Sequence, residues 1–469
     1  MKRAFLLTLM LLPVQSFAGQ TLQSFGEGGQ IKTLYDNRQR PQAVYLNGKI
    51  HIVFNAGAVE GSTGKSKTKP MAVTYDLNTR AFSSIVTLGR ASSDHHDGPV
   101  IWADRQERLH VFYGWHHDLG KHLISDQPRS IGISSEDWSA APAPAPKMSY
   151  PWTSRIYDDR QLVFYRTNQH YSSWTYRITD DDGNTWEGPE NDVIDLDVKG
   201  GMDTDWSIYT AKALSKDGNF LHVGFIAYDD YKRLRSPAEI ASGKLDPSRQ
   251  LNPLYDYRRV SYKYNLYYLK VNLRTHEVMN HAGEILQPPI DISTANSKCM
   301  IWDTQWCGGG IVPSMLIEEN DQVSFLHNIS DFHREDSLEY HYVRFEKGEW
   351  KQTRITHSNH EWNSGHLSKS ADGSLQAYVI TGAGYLDSDG YMDKHGGGNI
   401  EEWISTDKGN TWKKERDLTP DKATYSGWKY NNIQPVKKPD GTLVDGMLLF
   451  YGWKDKNAPE AKAFLLHEK

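Results

Sequence analysis

Seven times along the chain a short apolar strand runs into a tight turn and returns as a second strand rich in Val, Phe and Tyr, and this repetition restricts the fold more than any other feature. The units cover residues 41–54, 98–113, 150–165, 209–226, 310–326, 366–380 and 434–451. Four of them turn at Asn47-Gly48, Asp217-Gly218, Asp372-Gly373 and Asp440-Gly441, dipeptides suited to the two positive-φ positions of a type I′ hairpin. Most units lie about 50 to 70 residues apart, which is room for a four-stranded blade and its loops. The spacing therefore predicts an all-β fold, a seven-bladed β-propeller in a single domain. The longest interval, between the fourth and fifth units, leaves space for an eighth blade. A long insertion is the preferred reading, because residues 228–259 interleave Lys232, Arg233, Arg235, Lys244, Arg249, Arg258 and Arg259 with Tyr231, Tyr255 and Tyr257.

Two further segments, 179–186 and 405–412, run Thr-Asp-Asp-Asp-Gly-Asn-Thr-Trp and Ser-Thr-Asp-Lys-Gly-Asn-Thr-Trp. Both resemble the Asp-box turn of sialidase-type propellers, in which the acidic side chain satisfies turn amides and the Trp packs between blades. Their role is structural, and they do not report on the reaction.

Residues 1–18 read as a signal peptide, with Lys2 and Arg3 ahead of the apolar run 4–12 and Ser16-Phe17-Ala18 as the cleavage pattern. The propeller domain then occupies 19–469. No later apolar stretch approaches the roughly 20 residues that cross a bilayer, so the expectation is a secreted or periplasmic protein without a membrane partner. A formal net charge of -6 weighs against nucleic-acid binding by the whole surface. A closed propeller is complete as a monomer, the expected state.

In a blade the first strand lines the axis and the second returns to the same face, so the start of one lies near the end of the other. The second unit is entered through Asp94-His95-His96-Asp97-Gly98-Pro99 and left through Tyr113-Gly114-Trp115-His116-His117. The third is entered at Tyr150-Pro151 and left at Tyr165-Arg166. This rule gathers His96, His116, Tyr150 and Arg166 on one face as candidate catalytic groups, with polar residues at the strand edges and apolar ones inside. His95 and His117 are adjacent alternatives, and Tyr209, opening the fourth unit, is a candidate for lining the same face. Arg233 and Arg235 in the insertion are candidates for binding an acidic sugar chain, because guanidinium pairs with oxyanions.

The run His-Asp-Gly-Pro from His96, then Tyr-Gly-Trp-His ending on His116, then Tyr150-Pro151, then Arg166, resembles the propeller ulvan lyases, more closely polysaccharide lyase family 25 than family 24. The resemblance implies β-elimination at the uronate of ulvan, a polymer of sulfated rhamnose and uronic acid, leaving an unsaturated uronyl end. The chemistry can be argued apart from the name. Arg166 suits neutralisation of the carboxylate, together with His116. His96 suits removal of the C5 proton, since imidazole titrates near neutrality. Tyr150 suits donation to the departing O4, or both proton transfers if they occur on one side of the ring. The partner is accordingly an acidic sulfated polysaccharide.

Cys299, Cys307 and His327 offer the thiolates and imidazole that a structural zinc takes, and the resemblance implies such an ion in some relatives. A disulfide between the two cysteines is the other reading. A fourth ligand among His281, His333 and His366 is not singled out, calcium at Asp203 and Asp205 is a weaker reading, and no organic cofactor is expected. Two rival functions stay open: a sialidase-like glycoside hydrolase, which needs paired carboxylates or a Tyr nucleophile with arginines, and a non-catalytic binding protein for acidic polysaccharides.

Overall fold

Each of the seven units folds as a separate antiparallel hairpin in the computed structural model, which describes residues 15–17, 20–29, 40–59, 67–94, 96–116, 119–168, 170–196, 206–229, 263–304, 309–318, 321–330, 338–385, 395–454 and 460–468. In the first, Gln42–Leu46 pairs with Lys49–Val59 across Asn47 and Gly48, whose φ values of 46° and 79° are the positive pair that the Asn-Gly turn supplies. The second pairs Val100–Ala103 with Leu109–Tyr113, the third Ser149–Arg155 with Gln161–Arg166, and the fourth Trp206–Leu214 with Phe220–Asp229. The fifth, sixth and seventh begin on Ser314–Ile317, Gly365–Lys369 and Lys429–Lys437.

Further strands add outward from each hairpin, as Lys121–Ser125 and Trp138–Ala140 do in the second. The first strands form the inner ring: that of the first unit lies beside those of the second and seventh, and those of the fifth, sixth and seventh follow in turn. One parallel bridge, Lys437 to Val44, joins the last group to the first, and Gln20–Glu27 pairs with Lys462–Glu468 as an outer strand of the last. Residues 20–27 and the last group of strands thus close one blade, and the architecture is a β-propeller. The described part of the long fourth interval, including Val278–Met279, Ile285–Leu286 and Met300–Trp302, hydrogen-bonds into the fourth group. Residues 228 and 229, expected to open the insertion as loop, end the strand Phe220–Asp229, and residues 230–259 of the insertion lie outside the described residues.

Blades stack face to face, so a strand is covered on both sides. Val323–Ser330 is buried at every position although Ser324, His327, Asn328 and Ser330 are polar, so burial in such a strand does not follow a two-residue alternation. The Asp-boxes hold the stack together. Asp181 accepts from the Thr185 amide at 2.8 Å and the Thr185 hydroxyl at 2.7 Å, while Trp186 packs 6.3 Å from Phe112 of the preceding blade. Asp407 repeats the pattern with Thr411, and Trp412 packs 5.6 Å from Tyr342. Of the expected leader, residues 1–14 and 18–19 lie outside the described residues; Gln15–Phe17 pairs with residues 20–22. Among the described residues no helix is long and apolar enough to cross a membrane.

Candidate active site

The approach to the second hairpin is a short run of side-chain-closed turns. The Asp94 carboxylate accepts the His96 amide at 2.9 Å, an Asx turn that folds the His96 ring back over the carboxylate. The same oxygen, Oδ1, lies 2.6 Å from His96 Nδ1, and Oδ2 lies 2.7 Å from His116 Nδ1. One carboxylate therefore orients two imidazoles, which stack with centroids 3.9 Å apart and planes at 27°. Asp97 braces the exit of the hairpin: it accepts the Ser92 hydroxyl at 2.8 Å and the His116 amide at 3.2 Å. Partial burial alone would raise the Asp94 pKa, but hydrogen bonds from His116 and His96, and their charges, hold this carboxyl well below the usual range. With Nδ1 of each ring bound to a carboxylate, Nε2 is the nitrogen on which each ring can exchange protons with a ligand.

Tyr150 faces this pair, its ring centroid 5.8 Å from His96 and 5.7 Å from His116. Its φ of 55° is left-handed, an uncommon state for a bulky residue and more so before a proline. The ladder shifts register between Ser149 and Trp152 at this point, and the kink turns the Tyr150 ring toward the histidines. The ring is held from beneath. Arg166 Cζ lies 4.7 Å from its centroid and Trp174 packs nearly parallel at 6.2 Å.

Arg166 is completely buried, and its Nε and Nη2 have no hydrogen-bond partner; Nη1 reaches the His170 carbonyl only at 3.5 Å. Among the described residues no carboxylate pairs with it, and a buried guanidinium lacking such a partner is costly.

The structure thus brings His96, His116, Tyr150 and Arg166 together, with Arg166 under Tyr150 and not at the open surface. Tyr209 also reaches the cluster, as a ring 1% exposed that packs edge-on to Tyr150 at 5.8 Å. His95, His117, Arg233 and Arg235 lie outside the described residues. Asp94 and Asp97 were not singled out by the sequence, although an Asp two residues before His96 is the signature of an Asx turn. Trp174 carried no signal at all, because it comes from the third strand of its blade.

For metals, Asp94, His96 and His116 present ligand-type atoms within 4.8 Å of one another, and they make hydrogen bonds to each other there. His327, the residue expected to bind zinc, is fully buried with neither ring nitrogen hydrogen-bonded, so one orphaned nitrogen is available to an ion. Cys299 is buried in the apolar core, and burial pushes its thiol pKa up to about 12. Cys307 lies outside the described residues.

The family model described as BNR repeat-containing family member matches residues 63–358. An ulvan lyase of Alteromonas sp. (strain LOR) is 22% identical over 294 residues, which cover 57% of this chain and 53% of that protein. An ulvan lyase of Nonlabens ulvanivorans is 20% identical over 439 residues, covering 87% and 82%. The match to the first of these spans about half of that relative's length. Among solved structures, a polysaccharide lyase PL25 ulvan lyase superimposes with a TM-score of 0.69 at 18% identity, covering 94% of each chain. The same enzyme bound to -[GlcA(1-4)Rha3S]- gives 0.68.

Proposed function

We propose that this chain, which belongs to the BNR repeat-containing family, is a secreted polysaccharide lyase that cleaves ulvan by β-elimination at the uronate. The observation that carries the reading is the buried Arg166 beneath Tyr150, which pairs with no carboxylate among the described residues, with a stacked histidine pair facing the same ring. Elimination needs a positive field at the uronate carboxylate, a base for the C5 proton and an acid for O4. Arg166 and His116 supply the field, His96 takes the C5 proton, the C5 electron pair becomes the C4–C5 double bond, and Tyr150 gives its hydroxyl proton to the departing O4. A proton then passes from His96 back to Tyr150 to reset the site.

The carboxylates argue against hydrolysis. A glycosidase pair needs one carboxyl kept protonated by a raised pKa. Asp94 is held the opposite way, and Asp97 is committed to Ser92 and the His116 amide. Incubation with ulvan decides: a lyase forms a conjugated unsaturated uronate that absorbs in the ultraviolet, whereas new reducing ends without that absorbance would mean hydrolysis, and neither would mean binding alone.

His95, His117, Arg233 and Arg235 are proposed as further substrate contacts. His327 with Cys307 and Cys299 is proposed to hold a structural zinc, which would tie loop to core and take no part in proton transfer. Chelation should then lower the melting temperature of the metal-loaded protein while elemental analysis follows zinc release; an unchanged melt after complete stripping would refute it.

A further inference from the structure

A cleft of about 530 Å³ opens between the first and second blades and ends against the catalytic histidines, because Asp94 lines it and also orients both rings. Its walls carry two cations, Arg90 and Lys121, with Asn55, Thr68 and Tyr113 as neutral polar groups. Neither Arg90 nor Lys121 has a salt-bridge partner among the described residues, although surface arginines and lysines on this protein commonly find one, as Arg105 does with Asp182. The acids in the same cleft do not serve them. Asp94 is bound by His96 and His116, and Asp97 by Ser92 and the His116 amide.

The geometry points to this cleft as the subsite for the sulfate ester of the sugar next to the cleaved bond, with Arg90 and Lys121 as its specificity-determining residues. This rests on the lyase reading above. In that reading the uronate carboxylate lies over Tyr150 and Arg166, so the next anion along an alternating sulfated polymer belongs to a sulfate. A sulfate offers three outer oxygens to donors arriving from different sides, and a forked guanidinium with a mobile ammonium matches it. Asp94, Arg90 and Lys121 line the cleft whereas Tyr150 and Arg166 do not, so the two anions occupy different cations. Tyr113, whose hydroxyl donates to the Leu88 carbonyl at 3.1 Å, stiffens the wall that carries Arg90.

The test uses the full chain with Arg90→Gln, Lys121→Gln and the double variant, against ulvan and chemically desulfated ulvan. Both side chains are exposed and form no ion pair among the described residues, so the variants should melt with the parent. The double variant should raise KM for ulvan about tenfold with kcat retained, and leave KM for the desulfated polymer unchanged. An unchanged KM for ulvan, or equal rises on both polymers, would overturn the subsite. Should the parent form no unsaturated uronate, the lyase reading falls, and calorimetric titration with ulvan tests the cleft alone: weaker binding in the double variant supports it, and equal or absent binding overturns it.

Discussion

The second blade holds two histidine pairs, each with one aspartate, and they are wired differently. At the open face His96 and His116 stand in parallel: each gives one N–H to a different oxygen of Asp94. At the other end of the same strands His110 and His122 stand in series. His122 Nδ1 donates to the Pro142 carbonyl at 2.8 Å, His122 Nε2 accepts from His110 Nδ1 at 2.9 Å, and His110 Nε2 meets Asp104 at 3.2 Å. The parallel wiring leaves one nitrogen per ring outside the aspartate's grip, whereas the series wiring uses all four.

Three contacts in series need three protons on two rings, one more than neutral rings carry. Burial lowers the pKa of His110 more than Asp104 raises it, and the Asp104 contact is correspondingly the longest of the three. A structural histidine is thus recognised by its exhausted nitrogens, not by its residue type.

The widest separation between the pairs should appear on substitution. Tyr150→Phe and His96→Ala should lower the rate of unsaturated-product formation by roughly 10²- to 10⁴-fold with unchanged melting. His122→Leu should keep kcat and KM and lose about 1 to 3 kcal/mol of stability, because it strands the His110 N–H and the Pro142 carbonyl. Normal turnover in both open-face variants would erase the distinction.

Arg166→Leu sharpens it further. Turnover should fall about 10²- to 10³-fold while the protein melts no lower than the parent, since the change removes a buried charge that has no carboxylate partner among the described residues. A sharply lower melting temperature would make Arg166 a structural residue.

The aspartates come next. Asp94→Asn can accept from only one ring, so kcat/KM should drop roughly 10- to 100-fold and its pH profile should move, with ring-nitrogen shifts in NMR reporting the changed tautomer. Asp104→Asn should alter stability alone; a shifted pH profile there would break the comparison.

The smallest effect is that of acid. The fold holds His122 neutral with a pKa lowered to about 3, and His51, His222, His327 and His366 are lowered similarly, to about 3 or 4. The unfolded chain binds more protons below about pH 6.5, so stability should fall as pH drops, by about 2 kcal/mol at pH 5 from His122 alone. Asp94, held low, contributes stability that is lost only below about pH 4. His122→Leu should flatten the loss between pH 6.5 and 5 in urea titrations, and an unchanged slope would contradict the neutral assignment.

Much of the frame was legible in the residues. Asx-Gly turns and apolar strand pairs have local causes, so the hairpins and their ends could be placed from sequence, and the ends carried His96, His116, Tyr150 and Arg166 to one face. The Asp-boxes were equally local, each closed within five residues. Asp94 was not, because half of its role is a bond to His116, 22 residues away on another strand. Nor did the chain distinguish the two histidine pairs: His110 and His122 sit in strands of ordinary pattern, and only cross-strand register makes them touch.

Sequence by itself determined the β-propeller, the turns that build it and the residues at the mouths of the second and third blades, since these follow from neighbour interactions along the chain. Tertiary structure alone decided which nitrogens are committed, that Arg166 lies buried beneath Tyr150 without a counter-ion among the described residues, and that a cleft lined by Arg90 and Lys121 opens onto Asp94. Those properties depend on burial and on hydrogen bonds between distant strands, and desolvation is set by what packs around a group, not by what precedes it.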